Sequence, residues 1–293
     1  MAVMAMVMTR KARPGLSSTV YRPQPENSPR PPVTSGNNPF PVVSAQAVLA
    51  VDLTTGTTLY AKDPDKKLLP ASTTKILTAL VAMDYYYDDQ ILEVKDIRVE
   101  GQKMGLKQGE MIRVKDLLDG LLVYSANDAA EVLAQNYGYG RDDFIAAMNR
   151  KARELHLDSS VFANPTGLDT NGDAIASTAR DLIKVAEVAM QNPEFAGIVG
   201  TKEITVASVD GKINHKLANL NELLGKVPGV LGVKTGWTES ARENLVTYVD
   251  RDGHKVMLAV LGSQDRFGET EELIDWIFAN YSWQAVAPTN SKL

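Results

Sequence analysis

The sequence predicts an α/β fold of the layered α+β kind: an antiparallel sheet with helices packed on its faces. Three observations point there. Two strand-like runs open the ordered part, three more close it, and a block with helical periodicity lies between them. That order is not an alternating βαβ series, so strands from both ends of the chain can share one antiparallel sheet covered by the intervening helices. A hydrophobic content of 44% in 293 residues is ample for a packed core in one large domain.

The elements follow in order. Residues 1–42 read as a disordered tail or linker. An eight-residue apolar run, MAVMAMVM, precedes the basic residues, the reverse of an export signal. It fits the stub of a mis-started signal or anchor, and equally a tail without function. Residues 9–42 are rich in Pro, Ser, Asn, Arg and Gly and cannot bury much surface. Order is expected from about Val43. AQAVLAVDL (45–53) and TTLYAKD (57–63), joined by Thr54-Thr55-Gly56, predict a hairpin. Pro70 and Ser72 open a helix expected to reach about Tyr87. Helical periodicity recurs over 114–124, 127–137 and 141–155. NPTGLDTNGD (164–173) reads as a loop, Ser177-Thr178 as the cap of a helix over 178–191, and Pro193 as the start of a short one. KEITVASVDGKINHKL (202–217) predicts a hairpin about Asp210-Gly211. Strands are expected at Gly232–Thr235, Glu243–Val249 and Lys255–Gly262, with Arg251-Asp252-Gly253 as the last turn. A final helix spans about 268–281, and 284–293 reads as a loose tail. The domain proper is thus 43–283.

Composition narrows the chemistry. Thirty-one basic against thirty-six acidic residues leave a net charge of −5, which does not suit nucleic acid or an anionic membrane surface. There are no cysteines, hence no disulfide, thiolate site or cysteine nucleophile. His156, His215 and His254 lie far apart, without metal-ligand spacing, and read as ordinary surface or strand residues. Nothing calls for a cofactor or a metal. No apolar run reaches the about 18 residues a membrane helix needs, so membrane association is expected only through an N-terminal anchor.

Three short stretches carry chemistry. In LLPASTTKILTAL (68–80), Ser72 and Lys75 stand three residues apart at a helix start and share a face. Serine needs an adjacent base to become a nucleophile. Lysine becomes that base when desolvation lowers its pKa, and ILTAL is a desolvating neighbourhood. Free N–H groups at the helix start favour developing negative charge. Taken singly, S-x-x-K arises by chance about once in a chain this long, and Ser72 would suit a capping or first-turn position. In VYSANDAAEVLA (123–134), a short turn between two apolar helices can project Ser125 as a proton relay and Asn127 as a binder of a substrate amide; both residues also suit helix caps. In VLGVKTGWT (230–238), a strand edge offers backbone bonds to an extended peptide. There Lys234 supplies a charge for a carboxylate, Thr235 a hydroxyl, and Gly236 close approach. Alone, K-T-G also suits an edge strand. Together, S-x-x-K, S-x-N and K-T-G, in this order and each in its required context, form the motif set of penicillin-binding proteins and class A β-lactamases.

On those residues, and on FANPTGLD (162–169), STARDL (177–182) and NLNELL (219–224), the chain from about Ala45 to Tyr281 resembles the low-molecular-weight penicillin-binding proteins that are serine-type D-Ala-D-Ala carboxypeptidases. The resemblance implies a β-lactamase/penicillin-binding transpeptidase-like fold with a five-stranded antiparallel sheet. It implies removal of the terminal D-alanine from peptidoglycan stem peptides, inhibition by β-lactams, and a location outside the cytoplasmic membrane. By the same resemblance Ser72 attacks, Lys75 takes its proton, Ser125 relays a proton to the leaving amine, and the N–H groups of Ser72 and Trp237 form an oxyanion hole. Lys234, Thr235 and Arg266 hold the substrate carboxylate. Arg180 and Asp181 read as structural, a pair at a helix start that fixes a loop, and Arg266 also suits a surface charge opening the last helix. Three alternatives stand beside this reading, the first two on the same fold. A class A β-lactamase would need a deacylating glutamate, and no E-x-x-L-N pattern lies between Asn127 and Lys234. A DD-endopeptidase would act on cross-links. A non-catalytic sensor would have no need of the lysine.

Overall fold

The computed structural model describes residues 29–169 and 174–283. The leading 28 residues, the tip of the 164–173 loop and the expected C-terminal tail lie outside the described residues. The chain opens with β1 (Val33–Thr34), then the hairpin β2 (Ala47–Asp52) and β3 (Thr58–Lys62). A 3-10 turn, Ala71–Thr74, leads directly into α1 (Lys75–Tyr85). Two short strands follow, β4 (Ile91–Glu93) and β5 (Met111–Arg113), then α2 (Val114–Leu122), α3 (Asn127–Gln135) and α4 (Arg141–Glu154). Next come α5 (Ala179–Met190), α6 (Pro193–Gly200) and the hairpin β6 (Glu203–Ala207) and β7 (Asn214–Ala218). The end is β8 (Val230–Thr238), β9 (Arg242–Arg251), β10 (His254–Ser263), α7 (Arg266–Asn280) and β11 (Tyr281–Ser282).

One five-stranded sheet has the order β3-β2-β10-β9-β8, antiparallel throughout. The first hairpin therefore joins strands far along the chain, as the sequence pattern implied. Side chains of a strand alternate between faces, and the core divides accordingly. Ala47, Leu49, Met257, Ala259 and Leu261 face the core shared with α1–α6. Val48, Ala50, Val256, Leu258 and Val260 face Leu273, Ile274 and Ile277 of α7. β10 lies at the centre with apolar cover on both sides, which is why VMLAVL reads as an uninterrupted apolar run. Asp252 and Gly253, with φ of 54° and 81°, make the two-residue turn between β9 and β10. Thr178 and Asn192 cap α5 and α6 through their side-chain oxygens. Arg180 pairs with Asp65 at 2.7 Å, and Asp181 accepts from Ser159 N and Ser160 Oγ, so this pair does fix neighbouring loops.

Two expectations change. Order does not begin at Val43: Val33 and Thr34 pair with Ser282 and Tyr281, Ser35 N donates to Asn280 O, and Trp276 Nε1 donates to Asn38 O. Phe40 packs on Trp276 at 5.0 Å between ring centroids. Proline and asparagine bar this segment from helix, yet leave it free to lie along α7. The second change concerns the helix expected from Pro70 to Tyr87. Its first turn is 3-10, the α-helix starts at Lys75, and Tyr86 is already extended. The short β4–β5 ladder gave too brief a pattern to be expected from sequence.

Leu258 is fully buried at the centre of the sheet. Leu258→Ala is expected to lower the unfolding free energy by about 2–5 kcal/mol in urea titrations without changing the slope of the transition.

Candidate active site

α1 is unusual in being buried on every side over its first eight residues, Lys75 to Ala82. Its start is set by the chain before it. Ala71 has φ of 47°, and Thr73 returns both its N–H and its hydroxyl to Pro70 O. This tight turn leaves Ser72 half-buried at the surface of a cleft. Beneath it Lys75 is wholly buried. Its Nζ lies 2.8 Å from Ser72 Oγ, 2.6 Å from Asn127 Oδ1 and 2.8 Å from the Thr166 carbonyl oxygen.

The second stretch reaches the same place through the α2–α3 turn. Ser125 has φ of 59°, and Ala126 N donates back to Gly120 O, so the chain reverses sharply and Ser125 faces the cleft. Asn127 follows at the start of α3. Its two polar atoms are both committed within the protein, Oδ1 to Lys75 and Nδ2 to Glu100 O at 2.7 Å. Asn127 therefore braces the lysine, and it also lines the cleft.

The third stretch is the free edge of the sheet. β8 passes so near the Ser72 turn that a Cβ on Gly236 would lie 3.0 Å from Pro70 O and 3.1 Å from Ser72 N and Thr73 N. Thr235, Gly236 and the largely exposed Trp237 line the cleft, while Lys234 is buried with Nζ 3.2 Å from Thr235 O. Arg266, at the start of α7, lines the cleft too and donates from Nη1 to Gly236 O at 3.0 Å. Ser72, Ser125, Asn127, Thr235, Gly236, Trp237 and Arg266 therefore converge on one cleft of about 660 Å³, while Lys75 and Lys234 are buried next to its lining residues Ser72 and Thr235.

Comparison with known proteins agrees with this geometry. The family profile described as Peptidase S11, D-alanyl-D-alanine carboxypeptidase, matches residues 33–265. The chain belongs to this family. It is 37% identical to the D-alanyl-D-alanine carboxypeptidase DacB2 of Mycobacterium tuberculosis, over 84% of this chain and 86% of that one. It is 31% identical to a D-alanyl-D-alanine endopeptidase of Pseudomonas aeruginosa, over 85% and 82%. Among solved structures, the Streptomyces K15 DD-transpeptidase superposes with a TM-score of 0.78 at 33% identity, covering 83% of this chain and all of that one. The fold is that of the penicillin-binding DD-peptidases, the resemblance the motifs implied.

Within this family member, the electrostatics of the cleft follow from burial. Desolvation, and then the charge of Lys234, push the Lys75 amine well below the ordinary lysine range, with Asp128 pulling weakly the other way. Desolvation and then Arg266 lower Lys234 to about 7. Asp128 makes no hydrogen bond to Lys75; its carboxylate accepts from the amides of Met104, Gly105 and Leu106.

Several supporting residues escaped the sequence reading. Asn164 Oδ1 accepts from Thr166 N, Thr166 Oγ1 and Gly167 N, which aims the Thr166 carbonyl at Lys75. Gly167, with φ of 80°, presses on the Ser72 turn so closely that a Cβ there would meet Ala71 O at 1.9 Å. Asn-Pro-Thr-Gly is a legible turn signal, but not a legible partner for a lysine 91 residues away. Asn244, fully buried on β9, donates to Leu69 O and accepts from Gly262 N, so it ties the sheet to the approach of Ser72. Glu243 accepts from Arg266 N at 2.9 Å and sets the first turn of α7.

Gly236→Ala is expected to slow acylation by benzylpenicillin by about tenfold or more, since a misplacement under 1 Å suffices for that. The melting temperature should fall by a few degrees, an overpacking cost of about 1–3 kcal/mol, and stopped-flow measurement checks the rate. Lys234 also predicts a pH effect on stability. Its folded pKa of about 7 lies below the ordinary 10.5, so between these values the unfolded chain binds the extra proton and stability rises with pH. Lys234→Met should flatten that rise in urea titrations run from pH 7 to 10.

Proposed function

We propose that this cleft removes the terminal D-alanine from peptidoglycan stem pentapeptides through an acyl-enzyme on Ser72. The observation that carries the reading is the set of partners around Lys75 Nζ. Asn127 Oδ1 and the Thr166 carbonyl are acceptors only. In the neutral amine they take both N–H groups, and the remaining lone pair faces Ser72 Oγ, 2.8 Å away. A lysine so held accepts the serine proton as the oxygen attacks the carbonyl between the two D-alanines. The N–H groups of Ser72 and Trp237 receive the developing oxyanion, a kind of donor worth roughly 3 kcal/mol each. Gly236 lets the strand come near enough for both to serve one oxygen.

Lys234, Thr235 and Arg266 supply the carboxylate end of the cleft, which suits a peptide with a free C-terminus lying along β8. Ser125 stands where it can pass a proton to the leaving D-alanine amine. Asn127 takes part through its hold on Lys75. Water then releases the shortened peptide. β-Lactams enter by the same route and acylate the same serine. The substrate places the enzyme on the outer side of the cytoplasmic membrane; among the described residues no helix is long and apolar enough to cross a membrane. Hydrolysis of cross-links by the same acyl-enzyme is the second reading, favoured by the similarity to the Pseudomonas endopeptidase.

Incubation with diacetyl-Lys-D-Ala-D-Ala, followed by assay of free D-alanine, is the direct test. The parent should release D-alanine, whereas Ser72→Ala and Lys75→Ala should not, and neither variant should retain fluorescent penicillin on a denaturing gel. Penicillin labelling of Ser72→Ala at the parental level would sink the assignment. Release of monomers from cross-linked muropeptide dimers measures the endopeptidase share.

A further inference from the structure

His215 sits on β7, on a hairpin that contributes none of the residues invoked above. Its side chain is nevertheless buried, 3% exposed, against the fully buried side chain of Glu110. Both ring nitrogens are in use: Nδ1 lies 3.0 Å from the Met104 carbonyl oxygen, and Nε2 lies 2.7 Å from Glu110 Oε1. A carbonyl oxygen only accepts, so Nδ1 carries a hydrogen. Nε2 then meets a carboxyl oxygen, and two lone pairs at that separation would repel. One proton must lie between them, whether on the ring or on Glu110. Among the described residues Glu110 is the charged side chain bonded to the ring, while the nearby Lys103, Lys107 and Lys216 are exposed.

The segment fastened by this pair leads to the catalytic lysine. Glu110 Oε2 accepts from Lys107 N within its own segment, and Val209 N of the hairpin turn donates to Met111 O, so the hairpin is joined to the 100–111 segment beside the pair as well as through it. Met104 accepts from His215 on one side and donates to Asp128 on the other. A few residues earlier, the Gln102 carbonyl accepts from Asn127 N and the Glu100 carbonyl from Asn127 Nδ2, each at 2.7 Å. Asn127 Oδ1 in turn holds Lys75. Glu100, Gly101 and Gln102 also line the cleft.

We infer that His215 and Glu110 are a positioning pair for acylation: by sharing a proton they clamp the 100–106 segment against β7, and that segment holds Asn127 on Lys75. The inference rests on the reading of Ser72 and Lys75 as the acylating pair. It assigns the β6–β7 hairpin a part in the chemical step without contact with the substrate. Lys234, Thr235 and Arg266, read as the carboxylate-binding side of the cleft, belong to β8 and α7 and lie outside this chain of contacts, so the pair should act on kcat far more than on KM.

The test compares His215→Phe with Glu110→Gln in the full chain. His215→Phe keeps the ring volume and loses both polar contacts. It should lower kcat for diacetyl-Lys-D-Ala-D-Ala, and the penicillin acylation rate, by roughly 10- to 100-fold with KM within about twofold. Glu110→Gln should keep near-parental kcat: the introduced amide can donate to a neutral Nε2, its oxygen can keep the Lys107 N–H, and Nδ1–H can still serve Met104. Nitrogen-15 NMR of the ring should show a protonated Nδ1 in both the parent and Glu110→Gln. Parental kcat in His215→Phe, an equal loss of kcat in Glu110→Gln, or a ring protonated on Nε2 alone would each overturn the inference. Should His215→Phe fail to fold, Glu110→Leu, which cannot bond the ring, should show the same loss of kcat, and parental kcat there would overturn the inference. Failure of the acyl-enzyme reading itself would appear separately, as D-alanine release that survives Ser72→Ala.

Discussion

The burial of one amine organises the rest of this protein. An ammonium ion taken out of water costs several kcal/mol unless it is paired, and among the described residues no carboxylate bonds Lys75; two carbonyl oxygens and one hydroxyl are its partners. Such a site disfavours the charged form and leaves a base next to a serine. To build it, α1 must be enclosed on all sides, and each partner must be delivered by a separate piece of chain. Asn127 comes from α3, Thr166 from a turn shaped by Asn164, and Ser72 from a 3-10 turn immediately before the helix. The layered fold answers that need, since its helical side carries all three.

The sheet supplies the complementary half. β8 is an edge strand, with no sixth strand beside it among the described residues, and the Ser72 turn closes over part of that edge. A side chain at Gly236 would intrude on the contact, so the missing Cβ sets the width of the gap in which an acyl group must fit. Two buried lysines and a partly buried arginine gather there; Arg266 makes Lys234 easier to deprotonate, and Lys234 does the same to Lys75.

Much of this was legible in the sequence because the chemistry is written in short motifs and the sheet in long apolar runs. Ser72, Lys75, Ser125, Lys234, Thr235 and Gly236 each stand in a local context that marks them. Arg266 was legible only through resemblance, for nothing local separates a helix-start arginine in the cleft from one in solvent. Thr166 was illegible for a deeper reason: it contributes a backbone carbonyl, which every residue possesses. Asn244, Glu110 and His215 act across separations of 18 to 175 residues, through contacts that no periodicity records. The 33–42 segment was misread because composition reports the capacity to form regular structure, and a chain can be ordered by lying against a helix without forming any.

That last segment has a geometric corollary. β1 and β11 pair beside the C-terminal end of α7, whereas Arg266 at the other end of the same helix borders the cleft. Fifteen helical residues separate these points, about 22 Å at the rise of an α-helix. The two ends of the described fold thus leave it side by side, a full helix length behind the mouth. A fluorescent protein or a surface linker spliced at either position would hold the molecule by its back and leave the opening free to meet a polymer as large as a cell-wall sheet.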